Sequence, residues 1–314
     1  MTQSHTSSTA PIRIRFGGYQ MPASIHNQAA RRFGERLAAR LGEDRVQFEL
    51  IGNVLDLGRP SGDLPSMVET GELDACYISS VRFTGPVPEF GALELPFIVR
   101  DRPTVHAAFD GELGALLEAG MHAKTGVRLL GLWDNGFRHL SNKVRPIRTP
   151  ADCRGLTIRT QMSALHEELF AALGFVPIPV DVKEFVEQVA GPRFDAQENP
   201  LTNTYNFGVQ DYHRYMTLTG HLFGGTAFIL NTQVWRSWPA DVQQAVLEAA
   251  REATVYQREL AGAEDAFVLS KLDPAKNEVI VPTAQERQAF IAAAEPVIAR
   301  HRGGFDPRIL GWLS

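Results

Sequence analysis

Two arginines and one amide, each closing an apolar run, are the residues of this chain best suited to chemistry. The runs are GFRHLSN (Gly136–Asn142), GLTIRT (Gly155–Thr160) and AQENP (Ala196–Pro200), and they present Arg138, Arg159 and Asn199. A guanidinium is a planar fork of donors that matches the two oxygens of a carboxylate. Two such forks and an amide from separate elements suit the holding of an organic anion. Taken singly, each has an ordinary reading, as an edge arginine paired at the surface or as an Asn-Pro turn. Taken together, they sit where loops leave the C-terminal ends of strands, which is where open α/β sheets bind ligands.

Rival chemistries lack their residues. The nine histidines form no HExxH or HxxxH pair, and a zinc site needs three or four converging ligands. No GxSxG elbow, Walker A loop or GxGxxG loop occurs, so acyl-transfer and phosphate-binding motifs are missing. Cys76 and Cys153 are too far apart for a metal or redox motif and read as small buried hydrophobes. We therefore expect no metal, no cofactor and no catalytic residue. A cleft enzyme acting on an organic acid would need a general base near Arg159. His139 is the nearest candidate, but it neighbours Arg138 on a strand and should point to the opposite face. A ligand-sensing regulator would need a basic helix-turn-helix, and no segment here is basic enough.

Stepping from these residues to their scaffold, 314 residues can bury a good core, and two domains are the default. A composition of 44% hydrophobic and 21% charged residues is that of a soluble globular protein. The net charge of −5 argues against nucleic acid as a partner. An anionic ligand would need a local basic site working against that balance. No apolar run approaches the ~18 residues of a membrane span. The first residues, MTQSHTSSTAP, are polar without an apolar centre. They carry no signal peptide as given and read as a disordered tail or a trimmed start.

Along the chain, strand-like runs alternate with helical periodicity, the signature of a mostly parallel α/β sheet. Strands are expected at Ile12–Phe16, Val46–Ile51, Ala75–Ser79, Val127–Trp133, Phe137–Ser141, Val176–Val180, Phe194–Gln197, Tyr215–Thr219, Ala227–Asn231 and Val279–Val281, besides GLTIRT. The prolines of VPIPV (Val176–Val180) suggest an edge or a bulge. One helix is expected from about Pro103 to Ala123, and capping boxes at Asp181/Glu184 and Thr283/Glu286. From Pro239 to Leu272 apolar residues recur at alternating steps of four and three. A helix of that length is longer than one ordinary domain needs, so it reads as a strut lying across both domains. The expected division is residues 1–135 with about 225–264, and about 136–224 with about 265–314. From their strand-end positions, Tyr19, Gln20, Ser79, Phe137, Met162 and Phe223 are expected as further walls of the site.

The ordered set TGELDA, LELPF, FRHLSN, TPADCRGLTIRT, AQENP and NTQVWRSWPADVQQAV resembles the substrate-binding proteins of TRAP transporters, the DctP type. The resemblance runs from about Ile12 to the terminal helix. It implies a periplasmic-binding-protein-like fold, with two α/β domains around a ligand cleft and a long bracing helix. It also implies that Arg159 pairs with a substrate carboxylate, assisted by Arg138 and Asn199. The implied function is binding a small organic acid in the periplasm and delivering it to membrane permease subunits, without catalysis. GPRFDAQENP departs from the family pattern, and its Arg193 is expected to lie at the surface. Aromatic residues around the site suggest a monocarboxylate with an apolar or aromatic tail, bound by a monomer.

Overall fold

In the computed structural model, which describes residues 11–314, strand β1 (Ile12–Gly17) buries Ile12, Ile14 and Phe16 and turns Arg13 and Arg15 outward. That alternation is the one its sequence carries. Residues 1–10, with the expected N-terminal tail, lie outside the described residues. Helix α1 (Ile25–Leu41) starts where Ser24 caps it, its side chain accepting from the Asn27 amide. β2 (Val46–Ile51), α2 (Leu64–Glu69) and β3 (Ala75–Ser79) follow. The single helix expected near 103–123 is instead two, α3 (Arg102–Asp110) and α4 (Glu112–Lys124), broken at Gly111 in an extended conformation.

The expected strand pair Val127–Trp133 and Phe137–Ser141 is one continuous strand, β4 (Val127–Asn142). β5 (Thr157–Thr160), α5 (Ala164–Ala172), β6 (Val176–Pro179), α6 (Val182–Gln188) and β7 (Ala196–Pro200) come next. β7 thus contains Glu198, Asn199 and Pro200 rather than ending before them. After α7 (Leu201–Asn206), the runs at 215–219 and 227–231 are also one strand, β8 (Tyr215–Asn231). Gly220, Gly224 and Gly225 lie within it, between the two expected runs. α8 (Thr232–Ser237), α9 (Ala240–Lys271), β9 (Glu278–Ile280), α10 (Ala284–Arg302) and α11 (Pro307–Leu313) complete the chain. The Thr283/Glu286 box forms as expected. The Asp181/Glu184 box does not, because Glu184 pairs with the exposed Arg193 instead.

The sheet order is β2-β1-β3-β8-β4-β7-β5-β6, with β9 on β8. β6 is an edge, the first of the two readings its prolines allowed. The outer strands pair in parallel within each half, whereas β4 and β8 are antiparallel and run through both. Two separate large cores form on this shared pair. The larger packs α1, α3, α4 and part of α9 around β1, β3, β4 and β8, and Ile309 and Leu313 of α11 belong to it. The smaller gathers Ile158, Phe170, Leu222 and Phe290 around α5 and α10. At ~1.5 Å per residue, the 32 residues of α9 span about 48 Å. The helix packs on α1 and β4, and its later turns reach α7, where Glu264 accepts from Thr202 at 3.0 Å. It is the strut its periodicity promised.

Candidate ligand-binding site

The ends of β1, β3, β5, β6 and β7 converge on one cavity between the two cores. β5 brings Arg159, 3% exposed, whose Nε and Nη2 both donate to the Val180 carbonyl, at 3.1 and 2.8 Å. Its guanidinium lies over the Phe185 ring of α6, 5.5 Å from the centroid, a cation-π contact that fixes the fork. No carboxylate among the described residues pairs with Arg159. Burial lowers its pKa to about 10, with Arg138 and Arg82 adding to that and Glu198 and Asp181 opposing it. A charged group held this far from solvent, without a counter-ion, is arranged for an incoming anion.

Arg138 on β4 is equally buried but already paired. Its Nε and Nη2 donate to the Glu198 carboxylate at 2.5 and 2.7 Å, and Nη2 also reaches Asn199 Oδ1 at 3.3 Å. Burial acts against both charges, and the pair outweighs it. Arg138 is held above its ordinary value and Glu198 well below the usual carboxylate range. With its amide set as its neighbours require, Gln161 accepts from both Arg138 Nη1 and Nη2 at 3.0 Å and donates to Ser79 Oγ at 3.2 Å. Asn199 passes the order on: its Nδ2 donates to Gln197 at 2.5 Å, and its Oδ1 accepts from Asn203 at 3.3 Å. Asn203 in turn accepts from Gln20 at 2.9 Å.

A bulge sets one more wall. The β4/β8 register shifts between Asp134 and Gly136, and Gly136 takes φ +96°, a value that side chains resist. Asn135, beside it, lines the cavity, and its buried Oδ1 has no partner. Arg82 also lines the cavity, its Nη2 donating to Asp181 Oδ2 at 2.7 Å. Asp181 precedes α6 and reaches back to the segment before α2. It accepts from the Ser61 amide and hydroxyl and from the Gly62 amide, at 3.2, 3.0 and 3.1 Å. The cavity is small, about 30 Å³, room for little more than a water. A ligand of organic-acid size must therefore part its walls to enter.

Of the sequence-predicted residues, Arg159, Arg138, Asn199, Tyr19 and Ser79 line this cavity. Gln20 stands behind it, orienting Asn203. Phe223 does not line it: the ring is 2% exposed and packs edge-on against Phe137 in the larger core. Phe137 likewise faces that core, and Met162 points away, 61% exposed. Of the aromatic wall expected from sequence only Tyr19 remains, joined by Phe207. His139 also lies off the cavity, its Nδ1 accepting from the Gly220 amide at 3.0 Å. Burial, with His221 and Arg102, lowers its pKa to about 3. Sequence reasoning missed Arg82, Gln161, Asn135, Asn203, Asp181 and Glu198. The ENP run did offer one signal, a carboxylate adjacent to the chosen amide.

Comparison with known proteins agrees with this architecture. Residues 16–302 match the DctP model, described as bacterial extracellular solute-binding protein, family 7. The chain is 30% identical to the 2,3-diketo-L-gulonate-binding periplasmic protein YiaO of Escherichia coli, over 91% of this chain and 85% of that one. It is 31% identical to the C4-dicarboxylate-binding periplasmic protein DctP of Rhodobacter capsulatus, with the same coverage of 91% and 85%. Among solved structures, a TRAP periplasmic solute-binding protein from Sulfurospirillum deleyianum with bound succinate superposes with a TM-score of 0.90. It is 26% identical, covering 97% of this chain and 98% of that one. The galactonate complex of the sugar-acid-binding protein from Advenella mimigardefordensis gives 0.91 at 23% identity, covering 98% of both, and supports the fold. The chain belongs to the DctP family of bacterial extracellular solute-binding proteins, family 7, the substrate-binding components of TRAP transporters rather than enzymes.

Proposed function

We propose that Arg159 clamps the carboxylate of a small hydroxylated organic acid, which this protein carries in the periplasm to a membrane permease. The observation that carries the reading is a fully buried arginine with no counter-ion, set in an otherwise polar cavity. Charge-assisted hydrogen bonds contribute roughly 1.5–3 kcal/mol each, and exclusion of water strengthens them. Arg138 and Asn199 complete the clamp, held in place by Glu198 and Gln197. The rest of the lining is rich in amides and hydroxyls: Asn135, Asn203, Ser79 and Tyr19. Such groups suit ligand hydroxyls better than the apolar or aromatic tail suggested by the sequence.

Ligand entry requires opening, and β4 and β8 are the strands about which two lobes would turn. The lobes are residues 1–135 with about 225–264, and about 136–224 with about 265–314, except that α11 returns to the first. Support for this division comes from the two separate large cores. The reading takes the monomer as the binding unit. Periplasmic residence is supported by the relatives' location. Among the described residues no helix is long and apolar enough to cross a membrane.

The test is titration calorimetry of the purified chain against D-galactonate, D-glucuronate, 2,3-diketo-L-gulonate and succinate. Saturable one-to-one binding of at least one acid, recovered unchanged, is expected. Turnover of a bound acid, or binding of none, would contradict the reading.

A further inference from the structure

If the site binds an acid as just proposed, the charges around the cavity decide how many negative charges that acid can carry. Three guanidiniums line it, those of Arg82, Arg138 and Arg159. Two carboxylates are in direct contact with them: Glu198 on Arg138, and Asp181 on Arg82. Three positive charges less two negative leave one, on Arg159. We propose that Asp181 is the specificity-determining residue that holds the site to this single uncompensated cation, so that a hydroxylated monocarboxylate binds and a dicarboxylate is disfavoured.

Arg82 is the cation that a second ligand carboxylate would seek, since it lines the same cavity. Asp181 already occupies it at 2.7 Å. A dianion reaching for Arg82 would bring its second carboxylate against that of Asp181, and like charges so placed repel strongly. Asp181 stays ionised: burial acts to raise its pKa, but the Lys183 amide, Arg82 and Ser61 outweigh it and hold it below the ordinary range. An N-cap alone would not require a charge, because Asn serves that position as well as Asp. The carboxylate is needed for Arg82. What remains for the ligand's other end is uncharged, including the orphaned Asn135 Oδ1, a buried acceptor with no donor among the described residues. A ligand hydroxyl supplies that donor and a second carboxylate does not.

The experiment uses the full chain at pH 8, where succinate is a dianion, with the same four acids. Wild-type protein should bind a hydroxylated monocarboxylate at least tenfold tighter than succinate. Asp181→Asn keeps one accepting oxygen for the Lys183 and Ser61 amides, gives up the bond from the Gly62 amide and frees Arg82, and should move that ratio at least tenfold toward succinate. Adding Arg82→Gln to it should restore the original preference. A wild-type preference for succinate would overturn the proposal. So would a ratio unchanged in folded Asp181→Asn, with all acids weakened alike, because Asp181 would then be only a clasp between the walls. Should Asp181→Asn fail to fold by circular dichroism, Arg82→Gln alone decides. It leaves Asp181 uncompensated and must weaken binding overall, most for succinate; equal or tighter succinate binding would overturn the proposal. Binding of none of the acids by wild type would instead remove the acid-site reading itself.

Discussion

At the scale of single residues, the site works by an imbalance. Arg138 and Arg82 each have a carboxylate, and Arg159 has only a carbonyl and a ring. Arg159 was legible because it closes an apolar strand alongside Arg138 and Asn199 on neighbouring runs and because the run matches a family pattern. The partners were not legible. Asp181 and Arg82 are 99 positions apart, and only the fold brings them together. Phe137 and Phe223 were misplaced because strand alternation gives a face without saying which face is core. Buried histidines supply a separate residue-scale test. Burial lowers His26 and His213 from 6.5 to about 3. Each is neutral when folded and regains its ordinary basicity on unfolding. Stability is therefore full above pH 6.5 and is lost as pH falls toward 3. At pH 5 each histidine should cost about 2 kcal/mol. Thermal melts from pH 7.5 to 4.5 should show a falling midpoint, and His213→Gln a shallower fall. A flat profile would contradict the assignment of neutral, buried rings.

At the scale of elements, α9 is tied to the β4 bulge by one side chain. Gln257 donates to the Asp134 carbonyl at 2.6 Å and accepts from its amide at 2.8 Å, replacing ladder bonds that the bulge gives up. Nearby, Thr254 accepts from Trp133 Nε1 at 3.0 Å. Gln257→Leu should strand both backbone groups and lower stability by about 2–4 kcal/mol in urea unfolding. A change below the ~0.5 kcal/mol typical of surface substitutions would show that water or a shifted helix meets them instead. The helix itself was plain in the sequence, because thirty residues of steady periodicity outweigh any local ambiguity. The joined strands β4 and β8 were harder. Glycines inside a strand read as breaks, yet here they mark bulges and close approaches. A Cβ on Gly225 would sit 2.8 Å from Ser80 Oγ, so that strand needs a glycine where the chain passes close to the site.

At the scale of the whole molecule, two large cores share β4 and β8, and α9 packs on the larger while its later turns reach α7. The two-lobed plan followed from alternating elements and the resemblance, whereas the exchange of α11 back to the first core did not, because seven residues carry too little pattern. With a cavity of about 30 Å³, the ligand-free chain must populate a wider form if it is to bind at all. Small-angle scattering should therefore show a smaller radius of gyration in the presence of a saturating acid than without it. Identical curves would contradict a hinge. The central claim is that Arg159 holds the ligand's carboxylate. Calorimetric titration of Arg159→Ala beside wild type, using whichever acid binds wild type most tightly, tests it most directly. A loss of at least a hundredfold in affinity is expected, with an unchanged circular dichroism spectrum. An affinity within threefold of wild type would contradict it.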